Sequence, residues 1–407
     1  MKKWLLLLTP ALLLPVLAKP APPGLRLRPV GLALRPIADI KSPAGSGSAE
    51  PNLTAAPDGR VFMTWIEPGQ GKASVLYFSV LQADAWSAPK VIARGSNWFV
   101  NPADFPSMAV MPNGTLAVQW LVTTGEPGSE TYDINLAFSS DGGSTWSKPV
   151  VPHRDHKKRQ HGFTSLTPTP DGKLAMIWLD GRNMASEDEG DMALMYTTVT
   201  PAGVLGPEVQ IDKRVCECCK TAMAPTPDGL ISVYRGRSDK EIRDISVARF
   251  AGGRWSAPEG LTKDGWKIEA CPINGPAVSS SAKNVAVAWF TAPNEKAQVN
   301  LMLSSDSGKA FGQKIRIDAG NPAGRVEVLS LPSGGAMVSW IERVNSVPQL
   351  HVREVAANGT PAAPVNVSGT TRVASGGFPK MVSSPRGTVL AWTDSDDPSH
   401  VHTSIVK

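Results

Sequence analysis

A short apolar stretch that ends at or beside an aromatic residue recurs seven times along the chain. Each copy includes a turn sequence: PDGRVFMTW, PNGTLAVQW, PDGKLAMIW, PDGLISVYR, SAKNVAVAW, PSGGAMVSW and PRGTVLAW. The aromatic residues are Trp65, Trp120, Trp178, Tyr234, Trp289, Trp340 and Trp392, at successive separations of 55, 58, 56, 55, 51 and 52 residues. A period of this regularity predicts one structural unit that is repeated and stacked.

The internal pattern of each unit predicts four short strands. A strand leads into the turn, and the apolar stretch forms a second strand. A variable loop then precedes a third strand such as INLAFSS, and a tight turn precedes a fourth such as KIRID. Four short strands per unit are typical of a propeller blade, whose faces are buried only when blades stack around an axis. We therefore predict an all-β propeller, because two β-sandwiches in series would not give a single unbroken period.

The ends of the chain bear on the number of blades. Six units contain four strands, whereas residues 378–407 have room for three. The sequence LRPIADI, residues 34–40, could supply the missing strand, close the ring and remove an exposed sheet edge. This arrangement predicts seven blades, with six as the alternative.

Two of the turns between third and fourth strands share a motif. One reads SSDGGSTW, with Ser139, Asp141, Gly143 and Trp146, and the other reads SSDSGKAF, with Ser304, Asp306 and Gly308. Asp accepts hydrogen bonds from turn amides and Gly permits a positive φ angle, so we interpret both turns as folding devices. The motif is that of the Asp-box, or BNR repeat, and the repeated region resembles the sialidase-like superfamily of propellers. The segments CECCKTA and DGWKIEACPINGPA are similar to a bacterial subgroup of that superfamily.

The N-terminus predicts export. Lys2 and Lys3 precede an apolar run too short for a membrane span, and Val16-Leu17-Ala18 offers small residues for cleavage. We predict a signal peptide over 1–18, a Pro-rich segment over 19–35 and the propeller over 36–407. The protein is then secreted or periplasmic, and its mature part has no second long apolar run that could span a membrane.

The charge pattern limits the classes of partner. The net charge is +5, but the charges are interspersed along the chain. Nucleic acid is therefore not expected, since no basic stripe interleaved with aromatic residues occurs. A glycan or small anionic ligand is the expected partner, and a monomer is the expected state.

The resemblance implies that the active site lies at the end of the propeller opposite the Asp-box turns. Loops there carry Asp180, a candidate acid/base, and five candidate anion or substrate ligands: His161, Arg182, Arg235, Arg237 and Arg325. Asp180-Gly181-Arg182 fits a sialidase triplet, whereas Phe163-Thr164-Ser165 lacks the arginine expected before it. No nucleophilic tyrosine with a glutamate partner can be placed. The alternative is that the arginines form rim ion pairs with Asp180, Glu241, Asp244 and Glu327.

All four cysteines fall on the same face. Cys216, Cys218 and Cys219 precede the first strand of blade four, and Cys271 occupies the same place in blade five. We expect Cys271 to meet one of the trio across the blade boundary. Two disulfides, a thiolate site for Cu(I) or Zn, and a redox-active pair are the three interpretations. No other cofactor is predicted.

Three histidines, His153, His156 and His161, suggest a second metal site on this face. Their neighbours Lys157, Lys158 and Arg159 favour solvated loop histidines instead, because positive charge disfavours a bound cation. Three functions follow as hypotheses: a carbohydrate-directed enzyme, a non-catalytic propeller that docks a glycan or protein, and a metal or redox role for the cysteines.

Overall fold

A computed structural model describes residues 36–126, 128–186 and 189–407, and these residues are almost entirely β-structure. The strands form seven antiparallel sheets. The strands of blade 1 are Ala49–Ala55, Val61–Pro68, Ser74–Gln82, Ala85–Trp86 and Lys90–Gly95. The strands of blade 2 are Ser107–Val110, Leu116–Thr123 and Tyr132–Ser139, and a bridge joins Leu136 to Val150. The strands of blade 3 are His161–Pro168, Leu174–Asp180, Met192–Val199 and Val209–Val215.

The next three blades repeat this order. The strands of blade 4 are Ala222–Thr226, Gly229–Arg235, Ile245–Ala251, Arg254–Trp255 and Glu259–Gly260. The strands of blade 5 are Ala277–Ser281, Asn284–Thr291, Gln298–Ser304 and Ile315–Arg316. The strands of blade 6 are Pro322–Ser330, Ala336–Val344, Val347–Val355 and Val365–Asn366. A single 3₁₀ turn, Pro293–Glu295, is the helical structure of the described residues. Within those residues, no helix has the length and apolar character needed to cross a bilayer.

Blade 7 joins the two ends of the chain. Its strands Lys380–Ser384, Gly387–Thr393 and Val401–Val406 are completed by Ile37–Ile40, which pairs antiparallel with the last of them. The prediction of seven blades with an N-terminal closing strand is thus confirmed, and the six-blade alternative is wrong. The predicted signal peptide and Pro-rich segment lie outside the described residues.

The apolar core is divided among the boundaries between blades. Seven apolar clusters are found within the described residues, and each joins the facing sheets of two neighbouring blades, including blade 7 and blade 1. The second strand of each blade is central in its sheet and is covered on both faces, which explains its near-continuous apolar sequence. Trp65, Trp178, Trp289 and Trp340 lie within these strands and are fully buried.

The Asp-box turns lie beyond the third strands. In the first, Asp141 Oδ1 accepts hydrogen bonds from the amides of Ser144 and Thr145 and from Ser139 Oγ, which is 2.8 Å away. Trp146 packs edge-on against Phe78 of blade 1. In the second box, Asp306 accepts hydrogen bonds from Ser304 Oγ and the Ala310 amide, and the Gly308 amide donates to Ser304 Oγ. These contacts fix a tight turn and press it against the neighbouring blade.

We predict that Gly143→Ala destabilises the protein more than Gly142→Ala. Both glycines have positive φ angles, 79° and 68°, which cost an alanine about 1–2 kcal/mol. A Cβ on Gly143 would also lie 2.2 Å from the Phe78 ring, whereas one on Gly142 would meet nothing within 4 Å. Thermal or urea unfolding of both variants measures the difference. Equal destabilisation would contradict a packing role for the first Asp-box turn.

Candidate functional site

The first strand of every blade lies next to the propeller axis and contacts the first strands of both neighbouring blades. In each of these strands one residue pairs with the residue that precedes the repeat aromatic, as Ser165 pairs with Ile177 before Trp178. Seven residues share this register and form what we call the inner ring: Asn52, Ser107, Ser165, Ala222, Ala277, Glu327 and Lys380.

A second set of seven residues lies two positions earlier in each blade, toward the end that carries the cysteines. We call this set the outer ring: Glu50, Phe105, Phe163, Lys220, Gly275, Arg325 and Phe378. In blades 1, 3 and 6 the strand is bulged here, and Glu50, Phe163 and Arg325 have φ angles of 57°, 52° and 58°. Non-glycine residues seldom adopt this conformation, and bulges of this kind change the direction of a side chain.

The two rings enclose a cavity on the axis. Its volume is about 250 Å³, and all seven inner-ring residues line it together with Phe105, Phe163 and Lys220. Aromatic and cationic side chains meet at its mouth. The Lys380 ammonium lies 3.7 Å from the centroid of the Phe105 ring, and the Arg325 guanidinium lies 4.7 Å from that of Phe378. Such contacts stabilise a cation that has lost water.

Two lysines, Lys220 and Lys380, and two acids, Glu327 and Asp104, line this cavity, and both lysines cluster on Glu327. The Nζ atoms of Lys220 and Lys380 lie 2.6 and 2.9 Å from the same oxygen of Glu327. Burial raises the pKa of Glu327, but the two lysines outweigh burial and hold it below its usual value. Burial and the charge of Lys220 lower the pKa of Lys380 to about 8, despite the pairing with Glu327. Two ammonium groups thus share one carboxylate in a desolvated site that an added anion would stabilise.

An acid and a phenol form the wall between this cavity and the outer loops. Tyr132 Oη donates a hydrogen bond to Asp104 Oδ2 at 3.0 Å, and the amide of Phe163 donates to Asp104 Oδ1 at 2.7 Å. Gly162 permits this approach, since a Cβ there would lie 1.9 Å from Asp104 Oδ2. Burial raises the pKa of Asp104 to about 7 although both hydrogen bonds oppose the shift.

Glu50 is a second buried acid beside this pair. Burial raises its pKa to about 8, and the charge of Asp104 adds to the shift. One of its carboxyl oxygens has no hydrogen-bond partner. Near neutral pH Glu50 is therefore mostly protonated and Asp104 is close to half-protonated, so this sector of the mouth can both donate and accept protons.

A wider cleft of about 490 Å³ lies on the loop side of Tyr132. It shares Ala103 and Phe163 with the axial cavity, and Arg237, Arg243 and Glu217 line its opposite wall. A chain of ion pairs links that wall, because Arg243 contacts Glu217 at 2.6 Å and Glu241 at 3.0 Å, and Arg237 contacts the same two glutamates. We call this depression the loop cleft.

The cysteines border the loop cleft as two disulfides. Cys216 is bonded to Cys219, and Cys218 is bonded to Cys271 across the boundary of blades 4 and 5, with Cα separations of 5.7 and 6.1 Å. The prediction that Cys271 meets one of the trio is confirmed. With all four thiols in disulfides, no thiolate is left to bind Cu(I) or Zn.

Two of the sequence-predicted residues, the buried Asp180 and the half-buried Arg182, form an ion pair away from both depressions. Asp180 is fully buried, accepts a hydrogen bond from Trp178 Nε1 at 2.7 Å, and binds the Arg182 guanidinium through both of its oxygens. Arg182 also contacts Glu208. The Asp180 pairing proposed as the alternative is therefore observed, and the carboxylate faces neither the axial cavity nor the loop cleft.

The other candidate arginines have different surroundings. Arg235 is buried and donates to the carbonyl oxygens of Asn274, Arg243 and Phe290. Arg237 contacts Glu241, as the ion-pair alternative predicted, and lines the loop cleft. Arg325 donates to the carbonyls of Ile273 and Ser375. Glu327 pairs with two lysines, so the arginine pairing given as the alternative for Glu327 is wrong. Asp244 accepts hydrogen bonds from the backbone amides of Gly265 and Trp266.

The expectation of solvated histidines is wrong for two of the three. His153 and His161 are buried, and their rings stack in parallel with centroids 3.7 Å apart, whereas His156 is exposed. The basic neighbours do not face the stack. Lys157 Nζ donates to the Arg182 carbonyl, and Arg159 donates to the carbonyls of Met184 and Ala185. His161 lines neither depression, so it is not placed to contact a ligand there.

The sequence matches a known family over most of its length. Residues 70–389 match the BNR repeat-like domain. The chain belongs to the BNR repeat-like family. No curated protein sequence matches this BNR repeat-like propeller at a significant level.

Several solved structures are similar to the BNR repeat-like chain at low sequence identity. An ulvan lyase is 12% identical in sequence, with 77% of this chain and 80% of the lyase aligned at a TM-score of 0.51. The ulvan lyase bound to -[GlcA(1-4)Rha3S]- is 11% identical, with the same shares of both chains aligned at a TM-score of 0.50. An α-L-arabinofuranosidase from Fusarium graminearum is 15% identical over 89% of this chain and 93% of its own, with a TM-score of 0.49. The K499G mutant of the NanB sialidase from Streptococcus pneumoniae is 12% identical over 93% of this chain and 70% of the sialidase chain, with a TM-score of 0.42.

Several residues of the site were not predicted from the sequence. Asp104, Glu50, Lys220 and Lys380 lie in or beside first strands, which the repeat pattern does not mark. Their positions could have been counted, because each inner-ring residue lies 12 or 13 residues before the aromatic of its own repeat, as Lys380 lies 12 before Trp392 and Glu327 lies 13 before Trp340.

We predict that Glu50→Gln stabilises the protein increasingly as pH rises. Because the folded-state pKa of Glu50 is raised to about 8, its stabilising effect is complete below pH 4.5 and is lost as pH increases through 8. The free energy of unfolding of the variant should equal that of the wild type at pH 4 and exceed it above pH 8. The difference should be at most about 5 kcal/mol, since one pKa unit corresponds to about 1.4 kcal/mol. Urea unfolding across this range measures the effect. Glu295→Gln, at an exposed glutamate, controls for the loss of one carboxylate, and a constant difference would contradict the assignment.

Proposed function

We propose that this protein is an exported glycoside hydrolase that binds an acidic glycan at the axial cavity and cleaves it. The observation that carries the proposal is the lysine pair around one carboxylate, beside aromatic rings at the cavity mouth. Lys220 and Lys380 share the single carboxylate of Glu327, so a sugar carboxylate would restore charge balance in a desolvated site.

The rings around the mouth suit a carbohydrate. Phe105, Phe163 and Phe378 of the outer ring present apolar surfaces next to the two ammonium groups. A sugar acid has the matching character, since its ring carries apolar C–H groups and its carboxylate is charged. The ulvan lyase that shares this fold was solved with an oligosaccharide containing glucuronate, which supports an acidic glycan as the ligand class.

Asp104 is the proposed proton-transfer residue. A general acid or base works best when its pKa lies near the working pH, and burial brings the pKa of Asp104 to about 7. Tyr132 orients the carboxyl group through its hydrogen bond and separates it from the loop cleft. In this proposal Asp104 protonates the leaving oxygen as the glycosidic C–O bond breaks, and a water molecule adds to the anomeric carbon and releases a proton to solvent. Asp180, the acid expected from the sequence, would instead keep its pairing with Arg182.

A non-catalytic glycan-binding propeller is the second candidate. It is favoured by the burial of the acid pair, because Asp104 and Tyr132 expose only 2% and 1% of their surfaces. In that case the same lysines would hold the glycan, and Asp104 would serve only to position Tyr132 and the Phe163 amide.

We predict that Lys380→Met weakens binding of a glucuronate oligosaccharide at least about tenfold, since one charge-assisted contact contributes about 1.5–3 kcal/mol. Binding of the neutral oligosaccharide, in which the glucuronate carboxyl groups have been reduced, should be unaffected by the substitution. Glu327 keeps Lys220 as a partner, so the variant should fold. Titration calorimetry measures both ligands, and Lys173→Met, at an exposed ion pair, is the matched control. Equal binding of the acidic and neutral glycans would overturn the proposal.

We predict that Asp104→Asn retains binding and abolishes turnover. The measurement is release of reducing ends from the same oligosaccharide, with ultraviolet absorbance to detect an unsaturated product. Turnover that survives in the variant would remove Asp104 from catalysis. An unsaturated product would replace hydrolysis with elimination, and binding without turnover by the wild type would establish the second candidate.

Export is proposed on two grounds. The N-terminus has the pattern of a signal peptide, and the described residues contain two disulfides, which persist in oxidising compartments. Mass spectrometry of the protein expressed with its leader should give a mature N-terminus at Lys19. An intact N-terminus in the cytoplasmic fraction would contradict this assignment.

A further inference from the structure

The stacked histidines lie between two carboxylates. On one edge of the stack, His153 Nδ1 lies 3.2 Å from Asp155 Oδ1, and His161 Nε2 lies 3.3 Å from Asp155 Oδ2, both at hydrogen-bond geometry. A carboxylate accepts hydrogen bonds and cannot donate them. Asp155 therefore holds a proton on one nitrogen of each ring and directs the other nitrogen of each ring to the opposite edge.

The opposite edge brings three acceptor atoms together. His153 Nε2 and His161 Nδ1 lie 3.5 and 3.4 Å from the same oxygen of Asp133. Neither nitrogen has a hydrogen-bond partner, although His153 is 95% buried and His161 is fully buried. Two imidazole nitrogens and a carboxylate oxygen facing one another in a site this buried need a proton or a metal cation between them.

We propose that Asp133, His153 and His161 bind one divalent transition-metal ion of the zinc class. Imidazole nitrogen and carboxylate oxygen are ligands that Zn²⁺ prefers. In a tetrahedral site with bonds of about 2.0–2.1 Å, neighbouring ligand atoms are about 3.3–3.4 Å apart. The separations from Asp133 Oδ1 to the two nitrogens, 3.5 and 3.4 Å, are close to that value. Metal-binding histidines also typically donate their second ring N–H to a carboxylate, which is the part Asp155 plays here.

The charge around the stack favours a cation. Asp133, Asp155 and Asp180 surround the two rings, and Arg182 is the cation paired with Asp180. A proton on His161 is the competitor for the site. Burial lowers the pKa of His161, but the contacts with Asp133 and Asp155 outweigh burial and raise it to about 9, so a metal ion must displace this proton.

Access and geometry define what binding requires. The Asp133 side chain is 25% exposed, so an ion can reach the site from solvent and retain a water as its fourth ligand. The rings are parallel to within 2°, and their lone pairs are parallel as a result. Metal binding should therefore rotate the two imidazole rings relative to each other, while both stay hydrogen-bonded to Asp155.

The test uses the full-length mature protein after chelator treatment and dialysis. Titration calorimetry with Zn²⁺ should give one ion per chain. Replacement by Co²⁺ should give the intense visible absorption of tetrahedral coordination. His153→Gln should abolish both signals, and Asp155→Asn should weaken Zn²⁺ binding by about 10- to 100-fold through loss of the supporting hydrogen bonds. His156→Gln is the matched control, because that histidine is exposed in the same loop.

Stoichiometric binding that depends on His153 and Asp155 but not on His156 would support the site. Absence of binding in the wild type, or binding unchanged in His153→Gln, would overturn it. Circular dichroism of each variant separates lost binding from lost folding. If His153→Gln does not fold, the Co²⁺ spectrum of the wild type decides, since the weak absorption of octahedral coordination would also overturn the proposal.

Discussion

The antiparallel pairing of Ile37–Ile40 with Val401–Val406 is the contact on which the rest of the structure depends. It supplies the outer strand of blade 7, and Ile40 also enters the apolar cluster between blades 7 and 1. Because the ring is closed, seven first strands are fixed around one axis, and residues about fifty positions apart become neighbours. Lys220, Glu327 and Lys380 come from blades 4, 6 and 7, and only a closed ring brings their charged groups within hydrogen-bond distance. The site is thus a consequence of closure rather than of any local motif.

Desolvation sets the chemistry of the two sectors at the mouth. Taking an ionised group out of water is unfavourable, and a group without a counter-charge responds by a shift in pKa. Glu327 has two lysines and remains ionised, whereas Glu50 and Asp104 have no cation and are driven toward their neutral forms. The axial end that holds these residues therefore combines a lysine pair around one carboxylate with two acids shifted toward their protonated forms. In the proposed function, that combination would bind an anion and supply a proton to it without a large net charge in the apolar interior.

The sequence predicts the fold well because the fold is periodic, and it predicts the site poorly because the site is not. Apolar second strands, their aromatic residues and the Asp-box turns recur in every blade or in several, so the period, the blade count and the closing strand can all be deduced. Cys271 was placed correctly for the same reason, since it is one repeat away from the Cys216–Cys219 cluster. Lys380 lies in the first strand of blade 7 and Asp104 lies just before the first strand of blade 2, and neither carries a repeated signal. His153 and His161 were misjudged because Lys157 and Arg159 are neighbours in sequence and not in space.

The shape of the guanidinium group explains the surroundings of Arg235 and Arg325. A guanidinium group has five donors in a planar fork, which suits several carbonyl oxygens at once. Arg235 of blade 4 uses this fork on carbonyls of Asn274 and Phe290, and so joins blades 4 and 5. Arg325 of blade 6 binds the carbonyls of Ile273 and Ser375, on the blade 5 and blade 7 sides. These arginines are occupied in holding neighbouring blades together at the loop end. Lysine has a compact charge and a flexible stem, so Lys220 and Lys380 can reach one carboxylate from two different blades, which explains why the positive charge beside Glu327 at the axis is carried by lysine.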